Sequence, residues 1–332
     1  MNIRENLEQF ELEYLSPYAS FSRNSKGRLK EEEQCDIRPV YQRDRDRILH
    51  SKSFRRLKDK TQVFMSPEGD HYRTRLTHTL EVSQNARTIA KALRMNEDLV
   101  EAIALGHTPF GHAGERARDE VCPCGFCHSE QSVRTVDLLE KRGAGLNLTI
   151  EVRDGIKNHQ TKGNPFTLEG KIVRFSDKIA YIHHDMDDAV RAGILKETDI
   201  PAEIGEVIGY TTGERLDHFI HDLITTSYEK NDIQMSEPVA KAMAQLRRFM
   251  FERVYQNREA KSEEKKAEAL VQTLYDYYRR HLELLPEDFI RLVERGEARE
   301  RVVCDYIGAM TDRFAVARYE DIYIPRYWCG KE

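Results

Sequence analysis

From about residue 40 to the end, apolar residues recur at intervals of three and four, and no run of alternating β-branched residues breaks the pattern. A period near 3.6 predicts an all-α chain. Leu76, Leu80, Ile89 and Leu93 predict a helix over 75–94, and 97–105 reads as a short apolar helix ending at Gly106. Gly111, Gly114, Pro123 and Gly125 then interrupt the pattern, which resumes near Gln131. Later, Ser236 stands where it can cap a helix with Pro238 in its first turn and Val239, Met243, Leu246, Met250 and Val254 on the buried side. The charged stretch at 259–269 continues a helical C-terminal region. Residues 1–40 are polar and read as a loosely ordered arm, followed by a core over 41–215 and a C-terminal helical subdomain over 216–332.

The most informative helix is predicted over 171–190, because its two faces separate cleanly. Ile172, Phe175, Ile179, Ile182, Met186 and Val190 form an apolar stripe. Asp177, Tyr181 and Asp185 stand one turn apart on the other side, with Lys178 and Asp188 at the edges. One face packs and the other is free for chemistry. Taken by itself, that polar face also fits an ordinary solvated surface.

Composition narrows the class. A charged content of 33% and a mean hydropathy of −0.68, with no apolar run approaching the ~18 residues of a membrane span, give no sign of insertion in a bilayer. The opening MNIRENLEQFELEY has no apolar signal region, so a cytoplasmic location is expected. Six cysteines are too few for a disulfide scaffold. A net charge of −5 argues against a general nucleic-acid binder, and single-stranded nucleic acid is not indicated. Yet Arg43 to Lys60 holds eight basic residues against three acids, a local cationic patch suited to a small polyanion or to a solvated helix face.

Residues able to bind metal or phosphate concentrate in FRRLKDKTQVF (54–64), RTRLTHTLEV (73–82), LGHTPFGHAGE (105–115) and the helix bearing Asp177. His107, His112 and Glu115 surround a Pro-Phe-Gly turn, where two imidazoles and a carboxylate can bind metal or move protons. A lone helical histidine such as His78 is ordinarily structural; its company gives it interest. Cys122, Cys124, Cys127 and His128, within CPCGFCH, offer a second metal reading as a closed structural zinc site. Their spacing departs from paired CxxC motifs, and the loop is tight for enclosing one ion.

The series DRDRILHSKSFRRLKDKTQVF, HYRTRLTHTLEV, HTPFGHAGE, FCHSEQSVR, LNLTIEVRDGI, SDKIAYIHHDMDD and DYIGAMTDRF, in that order from about residue 41 to 314, closely resembles the HD-superfamily deoxynucleoside triphosphate triphosphohydrolases, in particular the bacterial deoxyguanosinetriphosphate triphosphohydrolase-like proteins. The resemblance implies an all-α HD-domain core, a divalent metal such as Mg²⁺ or Mn²⁺, hydrolysis of a dNTP to deoxynucleoside and triphosphate, and a homo-oligomer. By the same resemblance, His78 and Asp177 are metal ligands, and Gln62, Arg75, Lys178, Tyr181 and Asp185 contact substrate. His112 and Glu115 transfer protons, and His128 is a further active-site histidine, a role that would compete with zinc.

One departure matters. Where the family pattern reads approximately LGHDLGHTPFGHAGE, this chain has LGHTPFGHAGE, so four residues, including the aspartate of the histidine-aspartate doublet, are missing. The residues before His107 match those before the ligand histidine, whereas the residues after it match those after the phosphate-side histidine. Four residues are about 1.1 helical turns, or ~6 Å of rise, so the fold can survive the loss. With His78 and Asp177 alone a metal has too few protein ligands. The alternatives are an active enzyme with an altered metal site, a catalytically dead nucleotide-binding or regulatory homologue, and a deliberate or accidental change in the coding sequence. Hydrolysis of a signalling nucleotide is a weaker alternative.

Overall fold

A computed structural model describes residues 2–60, 74–107, 122, 125–255 and 258–325. Helices account for most of the described residues, and the only β pairing among them is an isolated bridge between Arg28 and Thr149. None of the helices is long and apolar enough to cross a membrane among the residues described.

The elements that build the centre are α1 (Ile3–Tyr14), α2 (Val40–Leu49), α3 (Lys52–Arg56), α4 (Arg75–Ala92) and α5 (Glu97–Gly106). They are followed by α6 (His128–Arg134), α7 (Ile150–Lys157) and α8 (Leu168–Arg191). Local chemistry sets the starts of the three central helices. The side chains of Thr74, Asn96 and Thr167 accept hydrogen bonds from the backbone amides of Thr77, Leu99 and Gly170, satisfying donors that the first turn leaves open. Helix α5 is apolar on nearly every side, and Leu99, Val100, Ala102, Ile103, Ala104 and Leu105 are all buried as α2, α4, α7 and α8 pack around it.

Where α5 crosses α7, two glycines receive each other's neighbours. A Cβ on Gly106 would lie 2.5 Å from Ile156 Cδ1, and one on Gly155 would lie 2.5–2.8 Å from three carbons of Ile103. This close crossing sets the C-terminal end of α5, and with it His107, beside the end of α7. Replacing Gly155 with alanine forces one helix outward and is expected to cost about 1–3 kcal/mol, as overpacking does; equilibrium urea denaturation checks it.

The second half comprises α9 (Ala202–Ile208), α10 (Thr212–Ser227), α11 (Glu237–Met250), α12 (Arg258–Arg280), α13 (Glu287–Glu294), α14 (Arg299–Ala309) and α15 (Asp312–Tyr323). Ile182, Met186 and Ala189 of α8 pack with Ile204, Met243, Leu246 and Met250. A separate cluster joins Leu274, Tyr278, Leu292, Val303 and Ile307. Ser236 holds the N-cap position of α11 without a side-chain hydrogen bond, with proline in the first turn.

The polar N-terminal stretch is not a loose arm. It contains α1, which has a capping box at Asn2, and it is tied down by buried carboxylates of the core. Glu169 accepts from the Ser20 amide and hydroxyl, both at 2.8 Å, and Glu151 accepts from the Lys26 amide at 2.7 Å and the Ser25 hydroxyl at 2.9 Å. Each acceptor lies more than 120 residues from its donors, a separation that local polarity could not signal. The basic stretch Arg43 to Lys60 also behaves differently from a free cationic patch. Arg43 pairs with Glu32 at 3.1 Å, Arg45 with Asp98 at 2.8 Å, and Lys60 donates to the Gly308 carbonyl at 2.8 Å.

Candidate metal centre and nucleotide cavity

Three side chains converge where α4, α5 and α8 meet. His78 faces across from the first turn of α4, His107 ends α5, and Asp177 projects from the middle of α8. Asp177 Oδ1 lies 3.1 Å from His78 Nε2 and 3.3 Å from His107 Nε2. One ligand atom from each residue lies within 4.8 Å of the others. Both histidines are fully buried, whereas the Asp177 side chain keeps 22% of its exposure toward a cavity. His107 thus stands with the candidate ligands, a placement the sequence left open.

Burial is the main force lowering the His78 pKa, to about 4, so its imidazole is neutral at physiological pH. His107 supplies the test of whether these residues suit a cation. Its Nδ1 donates to the Ala104 carbonyl at 2.5 Å, which leaves a lone pair on Nε2. That buried Nε2 has no hydrogen-bond partner and faces the Asp177 oxygen, so two electron-rich atoms oppose each other. A divalent ion between them removes the conflict, and the donor set fits.

The cavity over this cluster has a volume of about 480 Å³ and is lined by Arg75, His78, His128, His159, Gln160, Lys162, Arg174, Asp177, Lys178, Tyr181 and Arg247, among others. That size lies within the ~300–1,000 Å³ usual for small-molecule sites. Five of the lining residues are cationic side chains: Arg75, Lys162, Arg174, Lys178 and Arg247. Burial together with the charges of Arg247 and Arg174 lowers the Lys178 pKa, as expected where cations are held close to one another. Of these five, Arg75 follows the basic stretch in sequence, and no described residue of 43–60 lines the cavity.

His128 lies at the wall, its Nε2 3.2 Å from His159 Nε2 and its ring nitrogens 2.8–2.9 Å from the Gln160 amide. Burial first, then the neighbouring His107, lowers the pKa of His159 to about 3. Asp185 departs from the expected open face. It is 4% exposed and does not line the cavity, though it hydrogen bonds with Tyr181, which does. Its Oδ2 is buried without a partner, and burial, aided by Asp188, pushes its pKa well up. A carboxyl whose folded pKa lies above its unfolded value stabilises the fold below pH ~4, and that contribution is lost as pH rises through the folded value. Asp185→Asn is therefore expected to raise the thermal midpoint at pH 7 by a few degrees, at roughly 2–4 °C per kcal/mol, with the gain vanishing near pH 4 in melts across pH.

Gln62, His112, Glu115 and Cys124 lie outside the described residues. Cys122 is turned into the C-terminal cluster against Cys304, and Cys127 Sγ sits 3.3 Å from Ser129 Oγ. Among the described residues the only group with metal-ligand geometry is His78, His107 and Asp177. Sequence reasoning missed His159, Gln160, Lys162, Arg174 and Arg247. Arg174 was detectable, since it extends the polar stripe of Asp177 and Tyr181 by one turn; His159 follows a recognisable block by three residues.

The HD domain model matches residues 75–182, which contain all three candidate ligands, and the phosphohydrolase-associated domain model matches 233–321. A deoxyguanosinetriphosphate triphosphohydrolase-like protein of Caldanaerobacter subterraneus subsp. tengcongensis is 54% identical, over 99% of this chain and 98% of its own length. Proteins bearing the same description from Clostridium perfringens and Geobacter sulfurreducens are 47% and 37% identical, covering 98% and 97% of this chain and 99% and 98% of their own lengths. The histidines that line the cavity lie inside the matched HD segment, and on these near full-length likenesses the chain belongs to the HD-domain family of deoxyguanosinetriphosphate triphosphohydrolase-like proteins.

Proposed function

We propose that the chain is a metal-dependent dNTP triphosphohydrolase whose turnover is slowed by the missing histidine-aspartate doublet. The observation that carries this reading is the convergence of His78, His107 and Asp177 beneath a cavity with five cationic side chains. His78, His107 and Asp177 would hold the ion, which when bound supplies Lewis-acid polarisation of phosphoryl oxygens and of water. Arg75, Lys162, Arg174, Lys178 and Arg247 neutralise a triphosphate and favour the extra negative charge of the transition state. In this reading Tyr181, which lines the cavity and hydrogen bonds with Asp185, meets the sugar. Attack of water on the α-phosphorus breaks its bond to O5′, and the departing oxygen requires a proton. His128, backed by His159, is the described residue able to deliver it; His112, Glu115 and Gln62 keep the parts that the resemblance assigns to them.

The division into a core over 41–215 and a subdomain over 216–332, and assembly as a homo-oligomer, belong to the same reading. The second reading, a nucleotide-binding homologue without activity, is favoured by the absent carboxylate. Chromatography of products from each dNTP with Mg²⁺ or Mn²⁺ decides between them. Deoxynucleoside and triphosphate in equal amounts are expected; nucleotide binding without product supports the second reading, and deoxynucleoside monophosphate with pyrophosphate contradicts the proposed reaction.

A further inference from the structure

Behind the candidate metal ligands a second line of residues runs back through the same two helices. His78 Nδ1 lies 3.1 Å from His184 Nδ1, and the far nitrogen of His184, Nε2, meets the carboxylate of Glu81. Helix α4 thus contributes His78 and, one turn on, Glu81; α8 contributes Asp177 and, two turns on, His184. His78 and His184 are buried, while the Glu81 side chain is 42% exposed.

A neutral imidazole carries one proton, so the direction of this chain is determined. For His78 to offer a lone pair at Nε2, its proton must sit on Nδ1 and point at His184 Nδ1. His184 Nδ1 must then accept, which places the proton of His184 on Nε2, facing Glu81. Only an acceptor at Glu81 satisfies that end. Without one, His184 is free to hold its proton on Nδ1; the proton of His78 is then driven to Nε2, where it donates to Asp177 and removes the lone pair a cation needs.

We propose that Glu81 and His184 are positioning residues of the metal centre: the Glu81 carboxylate fixes the tautomer of His184, which in turn fixes His78 with its lone pair toward the site. This rests on the metal reading of His78, His107 and Asp177. It extends the general pattern in which a ligand histidine donates its other N–H to a fixed acceptor, here with a second imidazole inserted between ligand and carboxylate. The arrangement bears on this chain with particular force, because a site short of a ligand depends more on those that remain.

The test is Mn²⁺ binding to the metal-stripped full chain, followed by the electron paramagnetic resonance signal of free Mn²⁺, with thermal midpoints of the metal-free proteins measured in parallel. Glu81→Leu and His184→Phe are each expected to weaken binding by about 10–100-fold, the usual effect of removing an outer hydrogen-bond partner. The double variant is expected to bind no more weakly than the weaker single one, since both interrupt the same line. Glu81→Gln, whose amide oxygen still accepts from His184 Nε2, is expected to restore binding to within about threefold of the parent chain, because the acceptor function is kept. Glu81 is partly exposed, so its two variants remain informative if His184→Phe folds poorly. Parent binding that neither Glu81→Leu nor His184→Phe changes beyond about twofold, where 10–100-fold is the expectation, overturns the relay alone, as does failure of Glu81→Gln to recover what Glu81→Leu loses. Absence of Mn²⁺ uptake by the parent chain overturns the metal reading and the relay together.

Discussion

Insertion of His-Asp-Leu-Gly between Gly106 and His107 is expected to raise both metal occupancy and turnover, the latter by about a hundredfold or more, equivalent to roughly 2.7 kcal/mol at 1.36 kcal/mol per decade. In the present chain one carboxylate and two imidazoles face the site, a single negative charge against a divalent ion. A second carboxylate adds both a bond and charge neutralisation. The insertion adds about 1.1 helical turns after Gly106, and Gly106 is held firmly against Ile156 and Ile48, so the new histidine follows α5 where His107 now stands. Matched protein concentrations, metal content by mass spectrometry and a triphosphate-release assay measure the effect. Thermal midpoints of the metal-free chains separate it from a gain in folding. Equal metal content and equal rates in the two chains contradict this account.

The second large effect is a reversal of the role of His107. In the chain as it stands, His107→Ala removes one of three ligands and opens the buried site beside Asp177. Metal binding is expected to be lost, and kcat/KM to fall by about a thousandfold, in keeping with the several kcal/mol that a catalytic ion contributes. In the chain carrying the insertion, the new histidine takes the ligand place and His107 moves to the phosphate side of the turn. There His107→Ala is expected to leave metal content unchanged and lower only the rate, by about 10²–10⁴-fold if the histidine acts in proton transfer. Metal analysis of both His107→Ala proteins checks the reversal, and equal metal loss in both backgrounds contradicts it.

These expectations show which parts of the molecule could be read along the chain. Helix α8 was legible because its information is local: Ile172, Ile179, Ile182 and Met186 are buried on one side, and Asp177 and Tyr181 reach the cavity from another. Asp185 follows the same period but is covered by packing that periodicity does not encode. The polar N-terminal stretch looked loose because its partners, Glu151 and Glu169, are distant in sequence. The cations of 43–60 were visible as charges, but their carboxylate and carbonyl partners were not. For His107 the flanking residues supported two alignments, and only the three-dimensional end of α5 places it against Asp177. His184 and Glu81 lay within recognised blocks, yet their connection to His78 requires the face-to-face packing of α4 and α8.

The central claim is that the cavity over His78, His107 and Asp177 directs water to the α-phosphorus of a dNTP. Hydrolysis in ¹⁸O-water, with mass analysis of both products, tests it most directly. The account predicts slow release abolished by chelation, with ¹⁸O in the former α-phosphoryl group of the triphosphate and none in the deoxynucleoside. Label in the deoxynucleoside 5′-hydroxyl, or triphosphate release no faster than from the Asp177→Ala chain, would contradict it.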